Sequence, residues 1–126
     1  MSLLYTIDLE NELVHVKGEG AVTPDVIRGH WDELFSDPDA MRMHRFLVDL
    51  RAAELQLTGQ QNIDLTRRYF VPRGTTNSLW FAFVVATPLQ YGIIRQHHAV
   101  AGTAERSGVF YDHSEALAWL DALPHP

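Results

Sequence analysis

The sequence of 126 residues contains no cysteine, and this absence removes several kinds of site at once. Without thiols the chain has no disulfide, no cysteine nucleophile and no cysteine-based zinc site. The first residues also lack the charged start and the long apolar stretch of a signal peptide. We therefore expect a cytoplasmic protein.

Basic residues are scarce relative to acidic ones. The chain has 10 Lys and Arg against 16 Asp and Glu, which gives a net charge of −6 with neutral histidines. Nonspecific binding to nucleic acid or to an anionic membrane surface depends on an excess of positive charge, so neither is expected. The longest apolar run, Leu79 to Ala86, is long enough only for a strand, and no membrane span is predicted.

Apolar residues are abundant enough to fill one core. They make up 46% of the chain and include three Trp, four Tyr and six Phe. A chain of this length and composition is typical of one globular domain. We therefore expect a single domain over residues 1–126.

Five β-prone stretches are separated by turn or helix signals. The first two, divided by Glu10 and Asn11, predict an N-terminal hairpin, followed by a loop from Gly18 to Thr23. The next two are too apolar to alternate, as in strands that are covered on both faces. In order, the predicted strands are Leu3–Leu9, Glu12–Lys17, Phe46–Leu50, Leu79–Ala86 and Val109–Tyr111.

Four helices are predicted from their capping residues. Each begins with an N-cap side chain, and three of them add a Glu or Gln three residues later, the pattern of a capping box. These starts are Thr23, Thr58 with Gln61, Thr87 with Gln90, and Asp112 with Glu115. The order β-β-α-β-α-β-α-β-α predicts an α/β fold with an N-terminal hairpin, a mostly parallel central sheet and helices packed on the sheet.

The last helix has a regular apolar face. Its members are spaced at three and four residues, so they lie on one side of the helix. They are Ala116, Trp119, Leu120 and Leu123. This face is predicted to pack on the sheet, with Trp119 in the core.

Four segments carry a resemblance to the SpoIIAA-like group of the STAS superfamily, over nearly the whole chain. They are Gly18–Thr23, Phe46–Arg51, Tyr91–Arg95 and Val109–Leu120 with its Ala-x-x-Trp-Leu motif. The resemblance implies a nonenzymatic regulatory or protein-interaction module that associates with itself or with a protein partner and needs no cofactor. Because this fold is also likened to the CRAL-TRIO lipid-transfer domain, the alternative is a carrier of a small apolar or amphipathic acidic ligand.

The resemblance also draws attention to Thr58. Anti-sigma antagonists are phosphorylated at the start of the helix after the central strand, and Thr58 occupies that place. They have an Asp before the phosphoacceptor and a Ser after it, where this chain has Leu57 and Gly59. The alternative is that Thr58 is only an N-cap, which Gln61 explains in full.

A ligand site is predicted at the carboxyl ends of the parallel strands, where α/β sheets bind ligands. Thr58 and Thr87 begin helices there, and Tyr91 and Arg95 share a helix face at i and i+4. Two helix starts and one Arg favour an anion, such as a phosphate or a ligand carboxylate. The alternative for Arg95 is an exposed residue that faces a partner. A weaker basic group, Arg67, Arg68 and Arg73, is explained by the helix C-terminus that it complements.

No catalytic or metal-binding pattern occurs. The chain has seven histidines, but none are spaced as on a helical metal site, and the adjacent pair His97 and His98 points in different directions. We expect surface or partly buried histidines and no metal. Without a nucleophile elbow or a phosphate loop, an enzyme is the last hypothesis, because it would need distant His and Asp residues to converge.

Overall fold

The computed structural model describes residues 2–70, 79–102 and 106–123. Within these ranges five strands form one sheet: β1 (Ser2–Asp8), β2 (Leu13–Val22), β3 (Arg45–Leu55), β4 (Trp80–Val84) and β5 (Ser107–Phe110). The described helices are α1 (Pro24–Phe35), α2 (Pro38–Met41), α3 (Gly59–Tyr69), α4 (Pro88–Ala101) and α5 (His113–Asp121). The predicted order of strands and long helices is confirmed, and the one-turn helix α2 is added to it.

The strands lie in the sheet in the order in which they occur in the chain. β1 and β2 are antiparallel, and β2 to β5 are parallel to their neighbours. The predicted hairpin and parallel sheet are therefore confirmed. Because parallel crossovers are right-handed, connections that always step in one direction must lie on one face. That face carries α1, α3 and α4, and α5 packs on the other.

Two apolar clusters flank the sheet. The larger fills the space between the sheet and α1, α3 and α4, and the smaller lies beneath α5. Strand β4 contributes to both, because Phe81 and Phe83 face the larger cluster while Trp80 and Ala82 face the smaller. The prediction that this strand is covered on both faces is confirmed. No helix in the described ranges is both long and apolar enough to cross a bilayer.

The predicted loop after Lys17 is wrong, because β2 continues to Val22. Its pairing with β3 shifts register between Lys17 and Glu19, which marks a bulge. A Cβ atom added to Gly18 would lie 3.1 Å from the Cβ of Ala53, so glycine lets the two strands approach here. Strand β3 extends beyond its predicted end for the same reason, since its last residues pair with the continued β2.

The segment that ends α1 also differs from the prediction. Asp37 caps α2 by accepting hydrogen bonds from the backbone N–H groups of Asp39 and Ala40. The hydroxyl of Tyr5 in β1 donates to the Asp37 carboxylate over 2.7 Å. These contacts attach α2 to the edge of the sheet. The turn predicted at residues 72–74 lies outside the described residues.

Helix α5 begins as predicted, with Asp112 accepting from the N–H groups of Ser114 and Glu115. The described contacts contain the bonds accepted by Asp112 but not the return bond from the Glu115 side chain that would complete the predicted capping box. Leu120 is fully buried, whereas Trp119 is half-buried against Trp80, with ring centroids 6.1 Å apart. The core assignment of Trp119 is therefore corrected, and Leu120 is the main anchor of this helix.

Arg45, the first residue of β3, was not singled out by the sequence. Its side chain is 4% exposed and donates hydrogen bonds to the backbone carbonyls of Glu12 and Leu120, over 3.4 and 3.1 Å, and to that of Asn11. The carbonyls at a helix C-terminus carry partial negative charge, which favours a cation. Arg45 thus ties the β1–β2 turn to the end of α5.

We predict that Arg45→Met destabilises the protein by about 3 kcal/mol, because three backbone carbonyls lose the hydrogen bonds of a charged donor. Urea denaturation measures the change. Arg42→Met is the matched control: Arg42 is exposed and pairs with Asp39 at the surface, so its loss should change the free energy of unfolding by less than about 1 kcal/mol. Equal effects of the two substitutions would show that the Arg45 contacts do not stabilise the fold.

Candidate functional site

A cavity of about 70 Å³ lies between the sheet and helices α1, α3 and α4. It reaches the C-terminal ends of β2 and β3 at Val22 and Leu55. Several lining residues at this end are only partly buried, among them Leu55, Leu57 and Ile93. The cavity therefore approaches the surface at the carboxyl edge of the parallel strands, the edge at which α/β sheets bind ligands.

Aromatic rings form one wall of the cavity. Phe70 meets Trp31 and His97 edge to face, with ring centroids 5.1 and 4.5 Å apart. Phe83 lies 5.5 Å from the His97 ring. Such contacts hold the rings in fixed orientations, so this wall is a preformed apolar surface.

Four polar side chains interrupt the apolar lining: His30, Asn62, Thr66 and His97. His30 and His97 are 5% and 7% exposed. No described residue forms a hydrogen bond with the Nε2 atom of either histidine. Burial lowers the pKa of His30 to about 4 and that of His97 to about 3, the latter with a further contribution from His98. Both rings are therefore neutral near pH 7.

His97 is held from one side by helix α3. Its Nδ1 atom lies 2.9 Å from the hydroxyl oxygen of Thr66. That hydroxyl donates to the backbone carbonyl of Asn62, 2.8 Å away. The ring orientation is thus fixed by the helix that forms the neighbouring wall of the cavity.

Asn62 joins the same two helices near the cavity mouth. Its amide donates to the backbone carbonyl of Ile93 over 3.0 Å and to Oε1 of Gln96 over 2.8 Å. A Cβ atom on Gly59 would lie 3.5 Å from Gln96, so the start of α3 lies against this part of α4. Buried amide bonds of this kind fix the spacing of the helices.

Gln90 fixes the start of α4 to the sheet. Its amide nitrogen donates to the backbone carbonyls of Leu50 and Ala53 over 2.9 and 2.8 Å, and its oxygen accepts from the N–H groups of Ala86 and Thr87. The sequence predicted Gln90 as part of a capping box, which is confirmed. Its bonds to β3 add a role that the cap did not reveal.

The sequence-predicted site residues belong to helices α3 and α4 and their N-caps. Thr58 and Thr87 are the N-caps of α3 and α4, and both capping boxes are present. Tyr91 and Arg95 lie together: the guanidinium carbon is 5.9 Å from the Tyr91 ring centroid and Nη1 is 3.3 Å from its hydroxyl. Tyr91 also stacks on Tyr111, which is half exposed.

Helix α4 separates two parts of this set. Its Ile93 and Gln96 side faces α3 and therefore Thr58, whereas Tyr91 faces Tyr111 beyond β5. Arg95 follows Tyr91 by one helical turn and is exposed on that second flank. A ligand that touched Thr58 and Arg95 together would have to pass over the helix. A joint anion site stays a prediction, and the contacts of Arg95 suit the partner-facing alternative as well.

The weaker basic group is at the surface. Arg67 and Arg68 are exposed in the last turn of α3, and Arg73 lies outside the described residues. Arg68 lines a polar groove of about 220 Å³ with Arg28, Asp64 and other residues of α1 and α3. This groove is larger than the apolar cavity, and charged side chains of both signs line it.

The expectation of surface or partly buried histidines is wrong for His30, His97 and His98. Each lies on the inward face of its helix, as its spacing from apolar neighbours shows: His97 follows Ile94 by three residues, and His30 precedes Leu34 by four. That spacing was readable in the sequence. In the part of the chain that the structure describes, no three His, Asp or Glu side chains converge as metal ligands would.

Comparison with known proteins identifies the fold. No family model and no curated protein matches the chain. A crystal structure of an uncharacterized protein from the DUF3478 family with a SpoIIAA-like fold, from Shewanella loihica PV-4, matches with a TM-score of 0.61 and 18% identity over 94% of each chain. The fold is SpoIIAA-like. At this identity the match shows the fold alone, and the fold that the sequence resemblance implied is confirmed.

The buried histidines predict a pH dependence of stability. An unfolded histidine titrates near pH 6.5, whereas the folded pKa values of His30 and His97 are lower, so the unfolded state binds more protons in acid. Stability should be complete above about pH 6.5 and fall by about 1 to 2 kcal/mol per histidine by about pH 5. Burial, with a smaller contribution from the charge of Arg95, lowers the pKa of His98 to about 4. His98 therefore acts in the same direction.

Melting temperatures between pH 7 and pH 5 test this prediction, because most carboxylates titrate below that range. His97→Phe, which keeps a ring against Phe70, should show a shallower decline than the wild type. A flat profile of the wild type would contradict the burial of the three rings.

The confirmed cap at Thr58 gives a second prediction. Thr58→Ala should lower the free energy of unfolding by about 1 kcal/mol, since the Gln61 N–H loses its acceptor. Thr58→Ser keeps the acceptor and should stay close to the wild type. A thermal melt that separates neither variant from the wild type would show that the cap contributes nothing.

Proposed function

We propose that the chain is a single, nonenzymatic SpoIIAA-like domain that binds a small, largely apolar ligand in the cavity beneath α1, α3 and α4. The supporting observation is the cavity itself, with its aromatic wall, its position at the carboxyl edge and its few polar groups. Ligand sites in proteins share this composition, an apolar lining with a small number of placed polar atoms. The carrier alternative from the sequence is thus the function that the geometry favours.

The size of the cavity limits its occupant. A dry apolar cavity of about 150 Å³ accommodates benzene, and the volume here is about half of that. A ligand contained in the cavity has only a few non-hydrogen atoms, and a molecule the size of 2-butanol would fill it and reach into its mouth. A longer ligand would extend through the mouth between Leu55, Leu57 and Ile93, so a lipid-like chain would lie partly at the surface.

The expected affinity follows from the buried area. Roughly 150 Å² of apolar ligand surface, at about 25 cal/mol per Å², stabilises the complex by about 4 kcal/mol. Before the cost of association this corresponds to a dissociation constant of about 1 mM, and the loss of translational and rotational freedom makes the binding of small probes weaker than that. Native ligands with a tail in the mouth would bind more tightly.

A second candidate function is a protein-interaction module that associates with itself or with a partner. It is favoured by strand β1, which pairs with β2 only within the described sheet, and by the exposed side chains of Leu4 and Leu9 at this edge. An open strand edge can pair with a strand of another chain. Phosphorylation of Thr58 and binding of an acidic group by Arg95 with Tyr91 belong to this candidate as further proposals.

Native mass spectrometry of protein freshly purified from its own cytosol, the compartment that we propose, distinguishes the two functions. A copurified small molecule that is released on unfolding supports the binding function. A protein partner, or a dimer in sedimentation with no small molecule, would support the interaction module instead. Detection of phosphate on Thr58 in the same sample would show that it is more than a cap.

Filling the cavity tests the proposal with two matched substitutions. Val48 is buried and lines the cavity, so Val48→Ile should leave stability unchanged or raise it slightly. With 2-butanol as a small probe ligand, the added methyl group should weaken binding at least fivefold, or by about 1 kcal/mol. Val14 is buried in β2 away from the cavity, so Val14→Ile should cost about 1 kcal/mol or more and leave binding unchanged. Equal binding by both variants would contradict the assigned site.

A further inference from the structure

We propose that the ligand carries a hydrogen-bond donor, a hydroxyl or an N–H group, and gives it to the Nε2 atom of His97. This inference rests on the proposed binding function and names the chemical class of the ligand. The geometry points to a neutral molecule with an apolar body, and not to an acid or a ketone.

The bonding of Thr66 determines the tautomer of His97. A threonine hydroxyl has one hydrogen, and here it is donated to the carbonyl of Asn62. The contact of 2.9 Å to Nδ1 then requires the imidazole to donate, so the hydrogen of the ring is on Nδ1. A neutral imidazole has a single N–H, and Nε2 is left as an acceptor with a lone pair.

This acceptor is buried and has no hydrogen-bond partner among the described residues. The His97 ring packs against Phe70 and Phe83, which offer no N–H or O–H donor. An unpaired buried acceptor is costly, so a ligand donor would recover a large part of this free energy. His30, whose Nε2 atom is also without a described partner, lines the same cavity and could complete the bonding of a hydroxyl.

The charge of the ligand is limited in the same way. Among the described residues that line the cavity there is no Lys or Arg. A carboxylate would place its negative charge beside the lone pair of a neutral ring, in an apolar surrounding that penalises a buried charge. An acidic group bound at Arg95 would lie on the other flank of α4 and would be a separate site.

Two probes of nearly equal size test the proposal. 2-Butanol has a hydroxyl donor, whereas 2-butanone has only an acceptor. Titrations followed by the NMR signals of Val48, Ile94 and the Trp31 indole should show the alcohol binding at least about fivefold more tightly, the ratio expected for one net hydrogen bond. Equal affinities, or tighter binding of the ketone, would overturn the proposal.

Substitution of Thr66 makes the test specific to the tautomer. Thr66→Val removes the hydroxyl that fixes Nδ1–H, so the alcohol preference should fall below about twofold or reverse. Thr66→Ser keeps the hydroxyl and should keep the preference. Thr6→Val, at an exposed position of β1, controls for the substitution itself and should behave as the wild type. A preference that persists in Thr66→Val would overturn the role of Thr66.

A direct measurement does not depend on the variants. Long-range ¹H–¹⁵N spectra of the wild type should show the proton of His97 on Nδ1 and should show the Nε2 signal moving when 2-butanol is added. A proton on Nε2 would overturn the proposal.

The proposed binding function and the inferred ligand chemistry would fail in different ways. If neither probe changes the signals of the cavity residues, the proposed binding function fails. If both bind equally well at the cavity, that function stands and the inferred ligand chemistry fails.

Discussion

The order of the strands determines how the helices are divided between the two faces of the sheet. Because β2 to β5 are parallel and lie side by side in chain order, every crossover steps in the same direction and must pass on the same face of the sheet. Three long helices are therefore gathered on one face. Among the described helices, only α5, which follows β5, is free to cover the other, and it packs mainly on β3, β4 and β5. The layers are unequal, and the thicker one contains the cavity.

Polar contacts keep this thicker layer from closing over the cavity. Protein interiors are normally packed with few voids. Here the spacing of α3 and α4 is fixed by the amide of Asn62 and by the Thr66–His97 contact, and the start of α4 is fixed to β3 by Gln90. These bonds are satisfied only at one separation of the elements. The cavity is the space that remains between rigid aromatic and aliphatic walls at that separation.

Features encoded locally could be predicted from the sequence. The caps at Thr58 and Thr87 depend on residues three positions apart, and the two-sided packing of β4 depends on simple alternation. The length of β2 could not be predicted, because it depends on the register with β3 beyond a bulge. Arg45 was missed for a similar reason, since its partner Leu120 is 75 residues away in the chain.

The candidate site likewise combines features that are encoded locally with features that depend on distant parts of the chain. Sequence reasoning correctly brought helix starts to the carboxyl edge of the sheet, but the flank of α4 that each residue occupies depends on the rotation of that helix. Its inward face is defined by Gln90, Ile94 and His97, which leaves Arg95 outside. The cavity could not be predicted, because its lining comes from four strands and three helices and no single segment encodes it.

A crystal of the protein pressurised with xenon would show whether the fold contains a ligand cavity. Xenon enters apolar cavities without needing a hydrogen bond, so it reports on accessible space alone. We predict one strong xenon site in contact with Val48, Phe83 and His97. Xenon found only at the surface, with side chains filling this region, would show that the fold has no ligand cavity.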